Sequence, residues 1–301
     1  AGILGAYNQV FAIYIFFSQF AIGGMHFSVL KNISYNQGRK DKIFQITISG
    51  LLLALILSLI FAVILLSIKH FIGNLLFSYD VEIGIALVAP GLIFFSINKI
   101  FLSVLNALEL MKAYAIFQAL RYLLILFSVI CLYKYSFPGN VLPLSFTLAE
   151  IILSIGLSVY TFKYVFNKYV WSNKDKWFSK HLLFGIKGFM SGALSELNSR
   201  IDVLSIGYFL SDSMVGIYSY AAILSEGIAQ ISMVMRRNID PIIGSCFSLK
   251  NFNQIEIYSK NLKLRFPLMI LFVSMLTSLL LHIFLKYFID GNNFEESLLI
   301  F

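Results

Sequence analysis

Four cations and four carboxylates stand inside stretches that are otherwise apolar: Lys99, Arg121, Lys187 and Arg200, and Glu150, Glu196, Asp202 and Glu226. In a hydrocarbon environment each charge costs at least about 2.5–3.5 kcal/mol by insertion scales, so such residues face a wet cavity or a partner. Buried cations are suited to holding anions, guanidinium being the better group for bidentate phosphate contacts. A lone carboxylate at the same depth is a candidate site for a proton or a cation.

Helical spacing sorts these residues onto faces. At 100° per residue Lys187, Ser191, Ser195, Asn198, Asp202 and Ser205 fall within an arc of about 80°, a polar stripe about 22 Å long from Lys187 to Asp202. Ser and Asn alone would read as hydrogen bonding between helices, but Lys and Asp on the same stripe favour a wet cavity. Glu196 and Arg200 lie on the opposite side in the favourable i,i+4 order and read first as a structural pair, with a functional role for Arg200 left open. Similar faces gather Ser219, Glu226, Gln230 and Arg237; Ser96, Lys99, Ser103 and Asn106; Tyr114, Gln118, Arg121 and Ser128; and Thr147, Glu150, Ser154, Ser158 and Thr161. Asn8, Gln19 and His26 align as well. The bland alternative, in which each cation snorkels to the nearer interface, is strongest for Arg121 and Lys187 and weakest for Lys99.

Other chemistries lack their constellations. The sequence has no Gly-x-x-x-x-Gly-Lys-Ser/Thr loop for ATP, and no His-x-x-x-His, Cys-x-x-Cys or paired-carboxylate loop for metal, redox or glycosyl-transfer work. No cofactor, no metal and no enzymatic activity are expected. Gly188-Phe189-Met190-Ser191-Gly192 is a small-xxx-small motif that predicts close helix packing. Cys131 and Cys246 fall on opposite sides of the topology below, which leaves no disulfide framework.

The elements that must position these residues follow from composition. Of 301 residues 59% are hydrophobic and 13% charged, about half the charge of an ordinary soluble domain. A water-soluble globule is excluded. A net charge of +8, set between apolar runs, reports membrane orientation and not nucleic-acid binding. Runs near 7–29, 43–67, 83–107, 114–134, 142–164, 183–209, 215–235 and 266–288 are long enough to span a bilayer core, and a ninth opens at Leu298. The run at 43–67 is apolar on most of its circumference and is expected to face lipid. Short connections such as 134–140 and 210–214 make the helices antiparallel neighbours in one bundle. Alternating the loops puts sixteen of the 23 cations on one side, against Lys69, Lys134 and Lys286 on the other. By the positive-inside rule the first side is cytoplasmic.

The chain also repeats itself. Leu4-Gly5-Ala6-Tyr7-Asn8 opens one helix, and Val215-Gly216-Ile217-Tyr218-Ser219 opens another with the same order of apolar, Gly, apolar, Tyr and small polar residues. The exits, Lys31-Asn32-Ile33-Ser34 and Arg237-Asn238-Ile239-Asp240, also correspond. Duplicated bundles that rock about a central site are a transporter signature. The expected organisation is an N-terminal lobe at 1–166, a cytoplasmic linker at 167–181 and the start of a C-terminal lobe at 182–301. On this count the first lobe shows helices 2–6 of the parent and the second shows helices 7–9 with the start of a tenth. Both ends fall in apolar stretches, so a fragment lacking the first helix and the C-terminal helices is expected.

Leu4-Gly5-Ala6-Tyr7-Asn8, Phe20-Ala21-Ile22-Gly23-Gly24, Arg200-Ile201-Asp202 with Gly207-Tyr208-Phe209-Leu210, and Val215-Gly216-Ile217-Tyr218 resemble the O-antigen and polysaccharide flippases of the multidrug/oligosaccharidyl-lipid/polysaccharide exporter superfamily. The likeness covers essentially the whole chain through loose motifs. It implies an all-α polytopic transmembrane bundle of two pseudo-symmetric six-helix lobes. It also implies movement of undecaprenyl-diphosphate-linked oligosaccharide from the cytoplasmic to the periplasmic leaflet by alternating access. On that reading Lys99, Arg121, Lys187 and Arg200 draw in the diphosphate, while Glu150, Asp202 or Glu226 respond to a proton or sodium gradient. The implied setting is a bacterial inner membrane. The partners are the lipid-linked oligosaccharide, membrane lipids and the polysaccharide polymerase machinery, without nucleic acid. The alternatives are a cation-coupled multidrug exporter of the same superfamily, a membrane enzyme such as an O-antigen polymerase, and a non-transporting scaffold.

Overall fold

A computed structural model describes residues 1–36, 38–166, 177–223, 225–229, 263, 267–268 and 270–279. Among these residues helix is the only regular structure apart from turns. The chain divides into two compact units, 2–212 and 213 to the end.

The first unit is a bundle of α1 (Gly2–Ile22), α2 (Met25–Ser34), α3 (Lys40–Leu75), α4 (Tyr79–Val88), α5 (Gly91–Ala107), α6 (Met111–Lys134), α7 (Leu144–Tyr160) and α8 (Trp177–Phe209). A short 3-10 turn leads into α7, and a π-type turn at Thr161–Val165 extends it. α1, α3, α6 and the stretch Gly139–Val165 are each long and apolar enough to cross a membrane, and α4 and α5, bent against each other, are so when taken together. α8 packs on α1, α2 and α3. The compact unit therefore takes in α8. Residues 167–176 of the linker expected at 167–181 lie outside the described residues.

Two of the runs expected to be continuous helices are broken, for reasons local to the chain. Gly23 and Gly24 adopt φ of 51° and 71°, a region open to glycine at no steric cost. They let α8 approach closely, since a Cβ on Gly24 would collide with the Gly185 carbonyl and one on Gly185 would stand 2.8 Å from the Gly23 carbonyl oxygen. Pro90 bends α4 against α5 by 48°, because it removes a backbone donor and crowds the preceding turn. At this bend the Thr147 hydroxyl of α7 donates to the Leu87 carbonyl at 2.7 Å, and the Tyr14 hydroxyl of α1 donates to that of Gly91 at 3.4 Å. A bent helix in an apolar surround stays tolerable when neighbouring side chains satisfy its backbone in this way.

α3 is a helix of 36 residues, longer than the run read from the sequence. Gly50, Ala54, Ser58 and Ala62 recur at four-residue spacing along its buried face, while Leu52, Ile56, Leu59, Ile60 and Val63 are exposed. Small residues on one stripe let backbones close up, and the remaining apolar surface suits lipid. Close packing is present at Gly188, where a Cβ would stand 3.2 Å from the Phe27 ring of α2, and is tighter still one turn earlier, at Gly185. Gly192 lies among side chains outside the described set.

Two apolar clusters fill the bundle. One, around Val10, Tyr14, Ile85, Leu92, Phe95 and Phe146, lies toward the end opposite the basic loops. The other, around Met25, Val29, Ile46, Ile100, Leu105, Leu153 and Leu157, lies toward the basic loops. On α5 and α7 the change from one cluster to the other falls at residues 96–99 and 147–152, where the polar side chains sit.

A helical stretch opens at Asp212, the last residue of the first unit, and in the second unit the chain is helical at 213–223 and 225–229, and again at Ile270–Leu279. Val215 therefore lies in the opening turns of a helix, as Leu4 does in α1. The remainder of the predicted span 215–235, the Arg237 exit, Cys246 and the span opening at Leu298 lie outside the described residues.

Candidate functional site

The layer between the clusters is ionic. α6 exposes Tyr122, Leu123, Leu126 and Phe127 and turns Arg121 toward α7. There the Arg121 Nε lies 2.8 Å from Glu150 Oε1, and Nη2 donates to Oε2 at 3.4 Å. Both side chains are largely withdrawn from solvent, at 12% and 4% exposed. The Asn98 amide of α5 donates to Glu150 Oε2 at 2.7 Å and to the Glu150 backbone carbonyl at 2.9 Å. Three helices thus meet at one carboxylate. A buried charge held this way is compensated by its ion pair and by a charge-assisted hydrogen bond, without which it would be untenable at this depth.

Phe95, three residues before Asn98 on α5, carries cations on its ring. Arg121 Cζ lies 5.2 Å and Lys99 Nζ 5.7 Å from its centroid, both within reach of a cation–π attraction. Tyr14 packs edge-on against the same ring at 5.9 Å, and Tyr14 in turn stacks on Phe146. Lys99 also acts electrostatically on His26 of α2. The sequence stripes that contain Lys99, Arg121 and Glu150 therefore converge. Thr147, Glu150 and Ser154 are buried along α7, as is Thr161 at the start of the turn that extends it. Glu150 finds its partners in protein groups on α5 and α6, where the sequence had suggested a hydrated cavity.

α8 behaves differently. Lys187, Asn198 and Ser205 are exposed and Asp202 is half-buried, its Oδ1 accepting from the Val203 amide at 2.8 Å. Arg200 lies on another face, its Cζ 5.1 Å from the centroid of the Phe11 ring. The side chains of Ser191, Ser195 and Glu196 are outside the described set, so the proposed Glu196–Arg200 pair falls there too. Glu226 is half-buried in the second unit, and its stripe partners Gln230 and Arg237 are outside the described residues.

A recess of about 370 Å³ between α1, the end of α3 and α8 is lined by Ile13, Phe17, Leu76, Leu204, Tyr208 and Phe209 among others, almost all apolar. None of the predicted site residues lines it. Among the described residues no three His, Cys, Asp or Glu side chains come together as metal ligands.

Three polar residues that sequence reasoning passed over also hold the unit together. Asn98 is fully buried; its only signal was a polar side chain inside an apolar run. His181, in the second turn of α8, is fully buried against α2 and α3. Its Nε2 lies 3.0 Å from the Ile46 carbonyl and 3.1 Å from Ser49 Oγ, and its Nδ1 lies 2.9 Å from Ser28 Oγ. A carbonyl only accepts, so Nε2 carries the ring proton and Nδ1 accepts from the Ser28 hydroxyl. Burial pushes the imidazole down to about 4; the bond to Ile46 opposes this and nearby Lys180 adds to it. Asp212 is the third, at the opposite end of the bundle. Its Oδ1 accepts from Gln9 Nε2 at 2.7 Å and its Oδ2 from Ser78 Oγ at 2.5 Å.

No curated protein and no solved structure matches the chain. A family model described as polysaccharide biosynthesis protein matches residues 4–247. That match runs from the first turn of α1 through α8 and takes in every member of the Lys99, Arg121, Glu150 and Asn98 layer. The chain, a multi-pass helix bundle, belongs to the polysaccharide biosynthesis protein family, that of the O-antigen and polysaccharide flippases.

Proposed function

We propose that the protein is part of a flippase that moves undecaprenyl-diphosphate-linked oligosaccharide, an O-antigen or capsule repeat unit, from the cytoplasmic to the periplasmic leaflet of a bacterial inner membrane. The observation that carries this reading is the gathering of Lys99 and Arg121 on one buried Phe95 ring, with Glu150 against the guanidinium. Family membership alone supports a role in polysaccharide biosynthesis. Cationic groups at mid-depth add the chemistry that an anionic diphosphate needs on its way across.

No covalent bond is made or broken in this role, so the protein acts as a carrier and not as an enzyme. Lys187 and Arg200 on two faces of α8 are further cations for the diphosphate, and Asp202 and Glu226 are further carboxylates that a proton or sodium gradient could address. Surrounding lipids and the polysaccharide polymerase machinery are the natural partners. The test is translocation of lipid-linked oligosaccharide by the reconstituted full-length protein. Lys99→Ala and Lys187→Ala each abolish it on this reading; unimpaired flipping by both variants overturns the site, and transport of cationic drugs instead points to the exporter class.

A further inference from the structure

The recess between α1, α3 and α8 is almost wholly apolar, but another, at the end with the basic loops, joins apolar walls to lysines. The α5–α6 connection there is a tight reversal. Glu109 takes a left-handed φ of 59°, and the Leu110 amide closes back on the Leu105 carbonyl at 2.9 Å. Leu110 and Met111 are exposed, as is Ile116 further along α6. Between this turn and the end of α7 lies a cleft of about 530 Å³ walled by Met111, Lys112, Ile116, Phe117 and Tyr160, with Glu109 also in its lining. Leu110 lines in addition a smaller recess of about 210 Å³, together with Lys40, Ile43, Leu108, Tyr164 and Val165.

Aromatic contacts fix the α7 side of the cleft. Phe117 meets Tyr160 edge-on with ring centroids 5.5 Å apart, Tyr160 lies 5.1 Å from Tyr164, and Lys163 Nζ stands 5.2 Å from the centre of the Tyr164 ring. Apolar walls at the end of a span belong with hydrocarbon, whereas lysines and tyrosines belong with headgroups. A single amphiphile satisfies both, and charge decides its sign. The segments that form the two recesses carry Arg39, Lys40, Lys42, Lys112 and Lys163 against Asp41 and Glu109. Lys40, Lys112 and Lys163 are exposed, and among the described residues none of the three stands in an ion pair. By the positive-inside rule this end meets the cytoplasmic leaflet, where basic pockets between spans hold anionic headgroups.

We propose that the cleft between the α5–α6 turn and the end of α7 binds one anionic phospholipid of the cytoplasmic leaflet, of the phosphatidylglycerol type. Lys112 takes its phosphodiester, Lys40 and Lys163 add to the attracting field, and one acyl chain lies along Ile116, Phe117 and Tyr160. Ile116, Leu123, Phe127 and Ile130 recur along one exposed face of α6, so the chain passes from the cleft onto a surface suited to lipid. The Glu109 carboxylate favours an ammonium, so the test must separate phosphatidylglycerol from phosphatidylethanolamine. Lys99, Arg121, Lys187 and Arg200 do not line this cleft. The inference needs a bilayer containing anionic lipid and does not rest on the transport reading.

The experiment introduces Ile116→Trp into the full-length protein and follows quenching of the added tryptophan by brominated phospholipids of matched chains in phosphatidylcholine vesicles. Brominated phosphatidylglycerol quenches at a lower mole fraction than brominated phosphatidylethanolamine. Lys112→Gln reduces that preference about fivefold, Lys112→Arg keeps it, and Glu109→Gln does not weaken it. Ile130→Trp, near the other end of α6, shows no preference between the two lipids. Equal quenching by both lipids at Ile116→Trp overturns the proposal. So does a preference of the same size at Ile130→Trp, the sign of a diffuse ring of lipid, or one that survives Lys40→Gln, Lys112→Gln and Lys163→Gln combined. Native mass spectrometry gives a second reading without an added tryptophan: the parent retains a phosphatidylglycerol adduct that Lys112→Gln loses, and an adduct kept by the triple variant overturns the site. Displacement of that adduct by undecaprenyl diphosphate assigns the cleft to the transported lipid and overturns it as well.

Discussion

The α7 stripe and the α8 stripe have the same signature in sequence, hydroxyl, amide and charged residues repeating along one face of an apolar helix, yet they end in opposite environments. On α7, Thr147, Glu150 and Ser154 are buried, with Glu150 and Thr147 bonded to neighbouring helices. On α8, Lys187, Asn198 and Ser205 are exposed. A polar face on a membrane helix therefore specifies only that it avoids bare hydrocarbon. Whether it meets a partner or remains open depends on what the adjacent helices offer. α5 and α6 offer α7 an amide and a guanidinium, and α1 to α3 pack on other faces of α8.

The comparison is broken most severely by removing one member of the closed layer. Glu150→Gln leaves the Arg121 guanidinium buried without its counter-ion, and the loss of one partner of a buried pair costs about 3–5 kcal/mol. The expected outcome is a large drop in the thermal midpoint of the detergent-solubilised protein. Replacing both partners, Arg121→Met with Glu150→Leu, restores most of the stability, because neither charge then remains to be compensated. If the double variant is as unstable as Glu150→Gln, the pair is not acting as a mutually neutralising unit.

Acid should loosen α8 before it loosens α7. The His181 imidazole sits at about 4 in the folded protein, below its ordinary value near 6.5. A base whose folded value is depressed contributes stability that is fully present above the ordinary value and is lost as the pH falls toward the folded one. The window is thus pH 6.5 down to about 4, where protonation puts a charge on the ring and removes the acceptor that Ser28 uses. Thermal midpoints measured across that window should fall for the parent and fall less for His181→Gln, which starts lower but carries no titrating ring. A parallel decline in both would assign the acid sensitivity elsewhere.

The sequence makes α1, α3, α6 and the stretch Gly139–Val165 legible because each is an apolar run of membrane-spanning length, and it places Glu150 and Arg121 on inward faces. It does not show that they face each other. They lie 29 residues apart on different helices, and the register between α6 and α7 is set by side-chain packing that no periodicity within either helix encodes. The breaks at Gly23-Gly24 and Pro90 were visible as residue types, but apolar windows average over them. His181 and Asp212 escaped because each lies at the edge of a span, where a polar residue is ordinary until its partners on α1, α2 and α3 or before α4 are known. Hence Arg121, which the sequence assigned to diphosphate, and Glu150, which it assigned to an ion gradient, are joined in one contact.

The open face of α8 gives the smallest effect on stability. Lys187→Gln and Asn198→Ala remove side chains that the first unit does not cover, and substitutions at such positions stay within about 0.5 kcal/mol. Their thermal midpoints should match the parent, while translocation of lipid-linked oligosaccharide falls in Lys187→Gln and is restored by Lys187→Arg. That dissociation separates the two stripes: loss of function without loss of stability marks a face kept for something other than packing. If Lys187→Gln flips substrate at the parental rate, the α8 stripe is no more than a solubilising edge. The closed layer on α5, α6 and α7 would then be the only part of the first unit left to carry the transport reading.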